Sequence, residues 1–243
     1  MHSAARHSTR PCARLSARGF TLIELLVALA IMAMMTVVSW RGLDAMARAQ
    51  TQIERRGDAL LTLQAGLAQW AADLDAQVQL DSAPSPDWDG RALRIVRNNT
   101  AAPGDGLLVV AWTQRTVDGV GQWLRWQSPP LTTQGALQTA LARATQWATN
   151  PGDLERRFEV SIAPLDQWSV QYFRNGTWAA ATAADTAPPA PVAPLPAGVT
   201  IAPKIAPVVI EGVRLSITLP AGDSVSGTLT RDWVRASVGP GRP

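Results

Sequence analysis

Three hydrophobic rhythms succeed one another along the chain. From Phe20 to Trp40 the residues are apolar almost without interruption, 21 positions carrying one charge, Glu24. At ~1.5 Å rise per residue a helix of that length covers ~31 Å, about one bilayer hydrocarbon core. The spacing then becomes helical. Met46, Ile53, Leu60, Leu67 and Leu74 recur every seven residues and Leu63 and Trp70 fill a second row, while Glu54, Arg55, Arg56, Asp58, Asp73 and Asp75 fall elsewhere. This predicts that residues 41–80 continue the helix as an amphipathic segment, packed on the chain's own sheet or in a coiled coil with another protein. Gly42, costing ~1 kcal/mol relative to Ala, marks a point of flexibility. The stretch DSAPSPDWDG, Asp81 to Gly90, ends the helix.

The third rhythm is that of strands. Arg91–Arg97, Leu107–Arg115, Gln122–Gln127, Phe158–Ile162, Trp168–Arg174, Val208–Leu219 and Ser226–Arg235 are rich in β-branched and aromatic residues and are bounded by Gly, Pro, Asn or Asp. In GVRLSITL, Val213, Leu215, Ile217 and Leu219 alternate with Arg214, Ser216 and Thr218, the pattern of a half-buried antiparallel strand. Asn175-Gly176 supplies a hairpin turn. Leu131–Trp147 fits either a helix or two strands. Ala179 to Gly198 holds nine Ala and five Pro in 20 residues, which predicts an extended surface loop. The expected class is α+β, one long helix laid across antiparallel sheet, with residues 81–243 forming a β-rich head.

Composition narrows the chemistry. Four of the 22 Lys+Arg residues, Arg6, Arg10, Arg14 and Arg18, precede Phe20, so the remaining 18 face all 19 Asp+Glu. The pI near 9.9 therefore belongs to the leader, and no nucleic-acid-binding face follows from it. The one cysteine, Cys12, and both histidines, His2 and His7, also precede Phe20. From Phe20 onward a Ser/His/Asp triad, a Cys/His pair, a thiolate or histidine metal site and a disulfide all lack a required residue. The acid pairs Asp87/Asp89 and Asp153/Glu155 remain for catalysis or calcium. Their loop setting fits turn and solvated roles, and an Asp-x-Asp-Gly loop offers two of the six or more ligands calcium needs. Trp112, Trp123, Trp126, Trp168, Trp178 and Trp233 could line a ligand groove or fill the core.

Glu24 is the residue that needs a reason. A carboxylate inside a spanning helix costs ~2.5–3.5 kcal/mol on insertion scales. An ordinary signal peptide is cut after its apolar run, whereas the small residue here, Gly19, stands before it, behind four arginines that favour a cytoplasmic N-terminus. The junction G-F-T-L-I-E, Gly19 to Glu24, followed by an apolar run, resembles the class III signal of type IV prepilins and type II secretion pseudopilins. The resemblance implies cutting after Gly19 by a prepilin peptidase, with residues 1–19 removed as a cytoplasmic leader, Phe20 as the new N-methylated N-terminus, and residues 20–40 as the transmembrane and assembly helix. It further implies that Glu24 neutralises the Phe20 amine of a neighbouring subunit. Snorkelling of Glu24 toward the headgroups is the plainer alternative.

WRGLDAMARAQ, LAQWAADLDAQV, QWSVQYFRNGTW and GVRLSITLPAG with GTLTRDWVR resemble the J-type minor pseudopilin of type II secretion. A pilin-like fold and a non-enzymatic role without cofactor or metal are thereby implied, in a single-pass inner-membrane protein with a periplasmic head. The partners implied are the prepilin peptidase, I-type and K-type minor pseudopilins, the major pseudopilin, the inner-membrane assembly platform and membrane lipid. The chain departs from that pattern in its long leader, its Ala/Pro segment and the middle around 131–150. A type IV pilus minor pilin, or a ligand-binding tip subunit, shares the junction.

Overall fold

The computed structural model describes residues 19–80, 82–182, 210–222 and 225–236. The chain divides into two compact units, Met1–Gln52 and Ile53–Pro243. Within the first, the described residues lead into helix α1, Leu22–Asp75, whose early turns are exposed throughout. Gly42 lies inside α1 without a break in the helix. Among the described residues α1 is the one helix long and apolar enough to cross a membrane. In its apolar stretch Thr36 satisfies its hydroxyl by donating to the Met32 carbonyl at 2.8 Å, the local bond open to a helical threonine.

The second unit holds two antiparallel sheets. Sheet one has the order β1 (Asp87–Trp88), β2 (Ala92–Asn98), β3 (Leu107–Val117), β4 (Val120–Gln127), β5 (Glu159–Pro164). Sheet two runs β7 (Thr177–Ala180), β6 (Gln167–Arg174), β8 (Gly212–Leu219), β9 (Gly227–Val234). Helices α2 (Gln134–Thr149) and α3 (Asp153–Arg156) lie between β4 and β5 in sequence. The α+β class is as the sequence predicts.

Burial explains why the strands read differently. Sheet one is covered on both faces. Leu93, Ile95, Val110, Trp112 and Trp123 join Leu63, Trp70 and Leu74 of α1 and the inner face of sheet two in one core. Ala92, Val96, Val109, Ala111, Leu124 and Trp126 pack on Leu137, Ala140, Ala144 and Trp147 of α2 in a second. A two-sided strand such as β3 shows a continuous apolar run, LLVVAW. The strand β8 of sheet two alternates, with Val213, Leu215, Ile217 and Leu219 buried and Arg214, Ser216 and Thr218 half-buried.

Several expectations are corrected here. For Leu131–Trp147, where helix and two strands are both open from sequence, the helix is found: α2 is opened by Thr133, whose hydroxyl accepts the Ala136 N–H at 3.2 Å. The helix expected to reach residue 80 stops at Asp75, because β2 competes for the chain: Val78 N–H donates to Val96 O and Asn98 N–H to Ala76 O. Of the heptad row, Leu74 is buried, Leu67 is half-buried, and Met46, Ile53 and Leu60 are exposed. The core-facing row is instead Leu63, Gly66, Trp70, Asp73 and Leu74. The Ala/Pro loop was expected from Ala179, but Ala179 and Ala180 complete β7 opposite Tyr172 and Gln171; residues 183–198 lie outside the described residues. The turn before β7 is as expected, with φ of 50° at Asn175 and 78° at Gly176, the two positive values a type I′ hairpin requires. Of the strand expected over Val208–Leu219, Ile210 and Glu211 precede β8, which starts at Gly212, and residues 208 and 209 lie outside the described residues.

Candidate functional site

The N-terminal junction is organised by its own side chains. Gly19 and Phe20 are exposed and Thr21 immediately precedes the first helical residue. Both the Thr21 backbone N–H and its hydroxyl donate to Glu24 Oε2 at 2.9 Å, and the Glu24 N–H returns a longer bond to Thr21 Oγ1 at 3.4 Å. This reciprocal arrangement is a capping box, in which the first helical turn satisfies backbone donors that have no partner of their own. The negative carboxylate also stands at the positive end of the helix dipole. Of the site residues expected from sequence, Glu24 thus has a defined position within one chain, folded back over the helix start toward Phe20. Thr21 was not among them. Its signal was present, since Thr-x-x-Glu before an apolar run is the sequence mark of a capping box.

A second polar centre lies in the head and was missed entirely. Asp73, fully buried, receives the Nε and Nη2 of Arg125 at 2.8 and 2.9 Å, the Trp112 indole N–H at 3.0 Å, Gln69 Nε2 at 2.8 Å, and a close contact from Arg97. These donors come from α1, β2, β3 and β4. The last turn of α1 has no basic residue of its own, so the strand arginines also offset its negative end. Asp75 accepts the Trp233 indole N–H from β9 at 2.7 Å, tying the same helix end to sheet two. Both acids were expected on the solvent side of the amphipathic helix; apolar periodicity cannot distinguish an exposed acid from one supplied with arginines by distant strands.

The other candidates serve the fold. Asp87 and Asp89 flank Arg94, and Asp89 also accepts the N–H groups of Arg91 and Ala92 at 2.9 and 2.8 Å, closing a turn. Glu155 accepts the Gly152 N–H at 3.0 Å at the start of α3. Glu159 takes the Arg115 guanidinium and the Trp147 indole, both at 2.7 Å. Among the described residues no group of three or more His, Cys, Asp or Glu is placed to hold a metal ion. Trp112, Trp123, Trp126 and Trp233 are buried; Trp168 packs edge-on to Trp88, and Trp178 lies half-buried beneath the Arg214 guanidinium, 4.2 Å from the ring centre. These six indoles form no common groove.

The family model described as the prokaryotic N-terminal methylation motif matches residues 14–40, spanning Gly19, Phe20, Thr21 and Glu24. No curated protein matches the chain. Among solved structures, a chain of the GspK-GspI-GspJ complex of the type 2 secretion system from enterotoxigenic Escherichia coli aligns at 16% identity and a TM-score of 0.38, covering 72% of this chain and 96% of its own length.

Proposed function

We propose that the chain is a minor pseudopilin of type II secretion, a structural subunit with no catalytic role, made as a prepilin and anchored by α1 in the inner membrane with its head in the periplasm. The observation that carries this reading is the methylation motif over residues 14–40, with Gly19 and Phe20 exposed immediately ahead of an apolar helix. Four arginines before Phe20 support a cytoplasmic leader. The peptidase cuts after Gly19, where the missing side chain leaves the bond open, and Phe20 becomes a methylated amine. That amine needs a counter-charge at membrane depth, and the Glu24 carboxylate of an adjacent subunit supplies it.

In this account the head joins I-type and K-type minor pseudopilins in the complex that starts a periplasmic pseudopilus, above the major pseudopilin and the inner-membrane platform. The four J-like sequence stretches support that subclass. Mass spectrometry of the protein from its native membrane tests the first step: a mature chain starting at methylated Phe20 is expected, and one starting at Met1 or beyond Ala30 overturns the proposal. Co-purification of the full chain with I-type and K-type subunits tests the second. Co-purification with pilus subunits instead would assign it to a type IV pilus.

A further inference from the structure

Between Leu22 and Arg48, helix α1 satisfies its polar side chains locally at every position but three. Glu24 accepts from both donors of Thr21. Thr36 donates its hydroxyl to the Met32 carbonyl at 2.8 Å, as Thr51 does further along to the Ala47 carbonyl at 3.0 Å. Arg48 binds Asp44, one turn before it, at 2.7 Å. The exceptions are consecutive: Ser39, Trp40 and Arg41, at the end of the apolar run. All three are exposed, and their hydroxyl, indole and guanidinium donors meet no acceptor among the described residues.

For Arg41 the helix itself explains the absence. Asp44 lies three residues after Arg41 and four before Arg48, within helical reach of both, and its carboxylate is held by Arg48. The other helical neighbours of Arg41 are Val37, Val38 and Ala45, which offer a guanidinium nothing. Arg41 is thus the first charge after Glu24, and it carries no counter-ion within the described chain.

The arrangement of the donors selects the occupant. Successive helical residues stand ~100° apart, so three in a row spread their side chains over ~200° of the circumference at nearly one level. A protein partner approaching from one side reaches one or two of them, whereas a layer surrounding the helix reaches all three. That layer must present negative acceptors where the apolar run ends, and the length of the run brings its end to a bilayer surface. Phosphate oxygens have this character. An arginine fork binds them in pairs, and an indole sits at the same depth with its N–H toward the headgroups.

We infer that Ser39, Trp40 and Arg41 form a collar that binds phospholipid headgroup phosphate, and that the contact of Arg41 with phosphate fixes how deep α1 sits. The inference rests on the proposed reading of α1 as the membrane anchor and adds what sets its level. That level matters at the other end of the run. Glu24 is 17 residues before Arg41, ~26 Å along the helix. With the Arg41 backbone at one edge of a ~30 Å hydrocarbon core and its side chain reaching outward, Glu24 stands just inside the opposite edge. Every copy of the chain then presents its carboxylate and its Phe20 amine at the same depth.

Depth is measured on the full chain in a Cys12→Ser background, which removes its one native thiol, reconstituted into vesicles of phosphatidylethanolamine and phosphatidylglycerol. A nitroxide on Ala45→Cys reports its level through collisions with oxygen and with a water-soluble nickel chelate. Arg41→Leu extends the apolar run to Leu43 and makes Asp44 the next charge, so the label is expected to sink by three residues, ~4.5 Å. Arg41→Lys should hold the label near its original level, since an ammonium binds phosphate as a point charge. In vesicles of digalactosyldiacylglycerol, which has no phosphate, the difference between the parent chain and Arg41→Leu should fall by at least half. An unmoved label for Arg41→Leu in phospholipid overturns the inference. A shift of the same size in the phosphate-free vesicles overturns it too, leaving Arg41 solvated by water alone. A nitroxide on Ala30→Cys separates this outcome from the anchor itself. If that label meets the nickel chelate freely, α1 does not span and both readings fall; if it is shielded while the Ala45 label stays unmoved, only the collar falls. Processing after Gly19 is read independently by mass spectrometry.

Discussion

Asp73 Oδ2 and Arg125 Nε lie 2.8 Å apart across 52 residues of sequence, joining the last turn of α1 to the fourth strand of sheet one. The pair is not isolated. Arg97 and the Trp112 indole share the same carboxylate, so one buried acid fixes where the helix end sits over three successive strands. Removing it would leave two guanidinium groups with little solvent and no counter-charge.

Asp73→Ala is accordingly expected to destabilise the head by about 3–5 kcal/mol, the cost of stranding a buried charge. Asp73→Asn keeps one acceptor and should cost less. Urea unfolding followed by tryptophan fluorescence measures both, since Trp112 and Trp70 sit beside the pair. A loss under about 1 kcal/mol for Asp73→Ala, the range of an exposed pair, would count against a structural role for this centre.

Two glycines of α1 should respond oppositely to alanine. A Cβ on Gly57 meets nothing within 4 Å, so Gly57→Ala should stabilise by up to ~1 kcal/mol through helix propensity. A Cβ on Gly66 would lie 2.3 Å from the Ile162 γ2 methyl and 3.3 Å from the Trp123 ring. Overpacking costs ~1–3 kcal/mol, enough to reverse the propensity gain. Gly66→Ala should therefore lower the urea midpoint while Gly57→Ala raises it, and a rise in both would show that β5 yields freely.

The elements that were legible in sequence are those whose burial is one-sided or absent. Strand β8 alternates because only one of its faces is covered, and the apolar run of α1 stands out by its uniform composition, with its side chains exposed among the described residues. The turn at Asn175-Gly176 was legible because few residue pairs tolerate two positive φ values. What was not legible depends on distant partners. Asp73 looks like any exposed helical acid until Arg97 and Arg125 arrive from two strands, and α2, with alanines on its buried face, has too weak an apolar contrast to be separated from strands. At the junction Gly19, Phe20 and Glu24 stand out by their position before and within the apolar run, while the pattern alone does not show the bonds Thr21 makes.

On the outer face of sheet two, Arg214 binds both oxygens of Asp232 at 2.7 Å. That hydrogen bonding, with a smaller Coulombic contribution, holds the Asp232 carboxyl below its ordinary value of 3.8, against a partial opposing effect of burial. A depressed acid stabilises the fold above its unfolded pKa and loses that contribution as pH falls through the folded value. Wild type should thus be more stable than Asp232→Asn near neutral pH, with the difference shrinking below about pH 4 and disappearing in stronger acid. The effect is small and weakened by salt because the pair is exposed to solvent. A difference that persists unchanged in strong acid would assign it to packing.

The capping box gives a way to separate two roles of Glu24. Glu24→Gln retains a side-chain oxygen able to accept from Thr21, so the start of α1 should hold, but it carries no charge to set against an amine. Glu24→Ala loses both, and loss of a cap costs ~1 kcal/mol of local helix stability. If the carboxylate serves as a counter-charge between subunits, both variants should insert and be cut after Gly19, and both should fail to support assembly. If its work is confined to capping, Glu24→Gln should assemble normally and Glu24→Ala alone should be impaired. Secretion or pilus-initiation activity in cells, measured beside the mass of the processed chain, distinguishes these cases. Thr21→Val supplies the converse: it removes the hydroxyl that the carboxylate accepts from while leaving the charge in place, and should reduce assembly less than Glu24→Gln does.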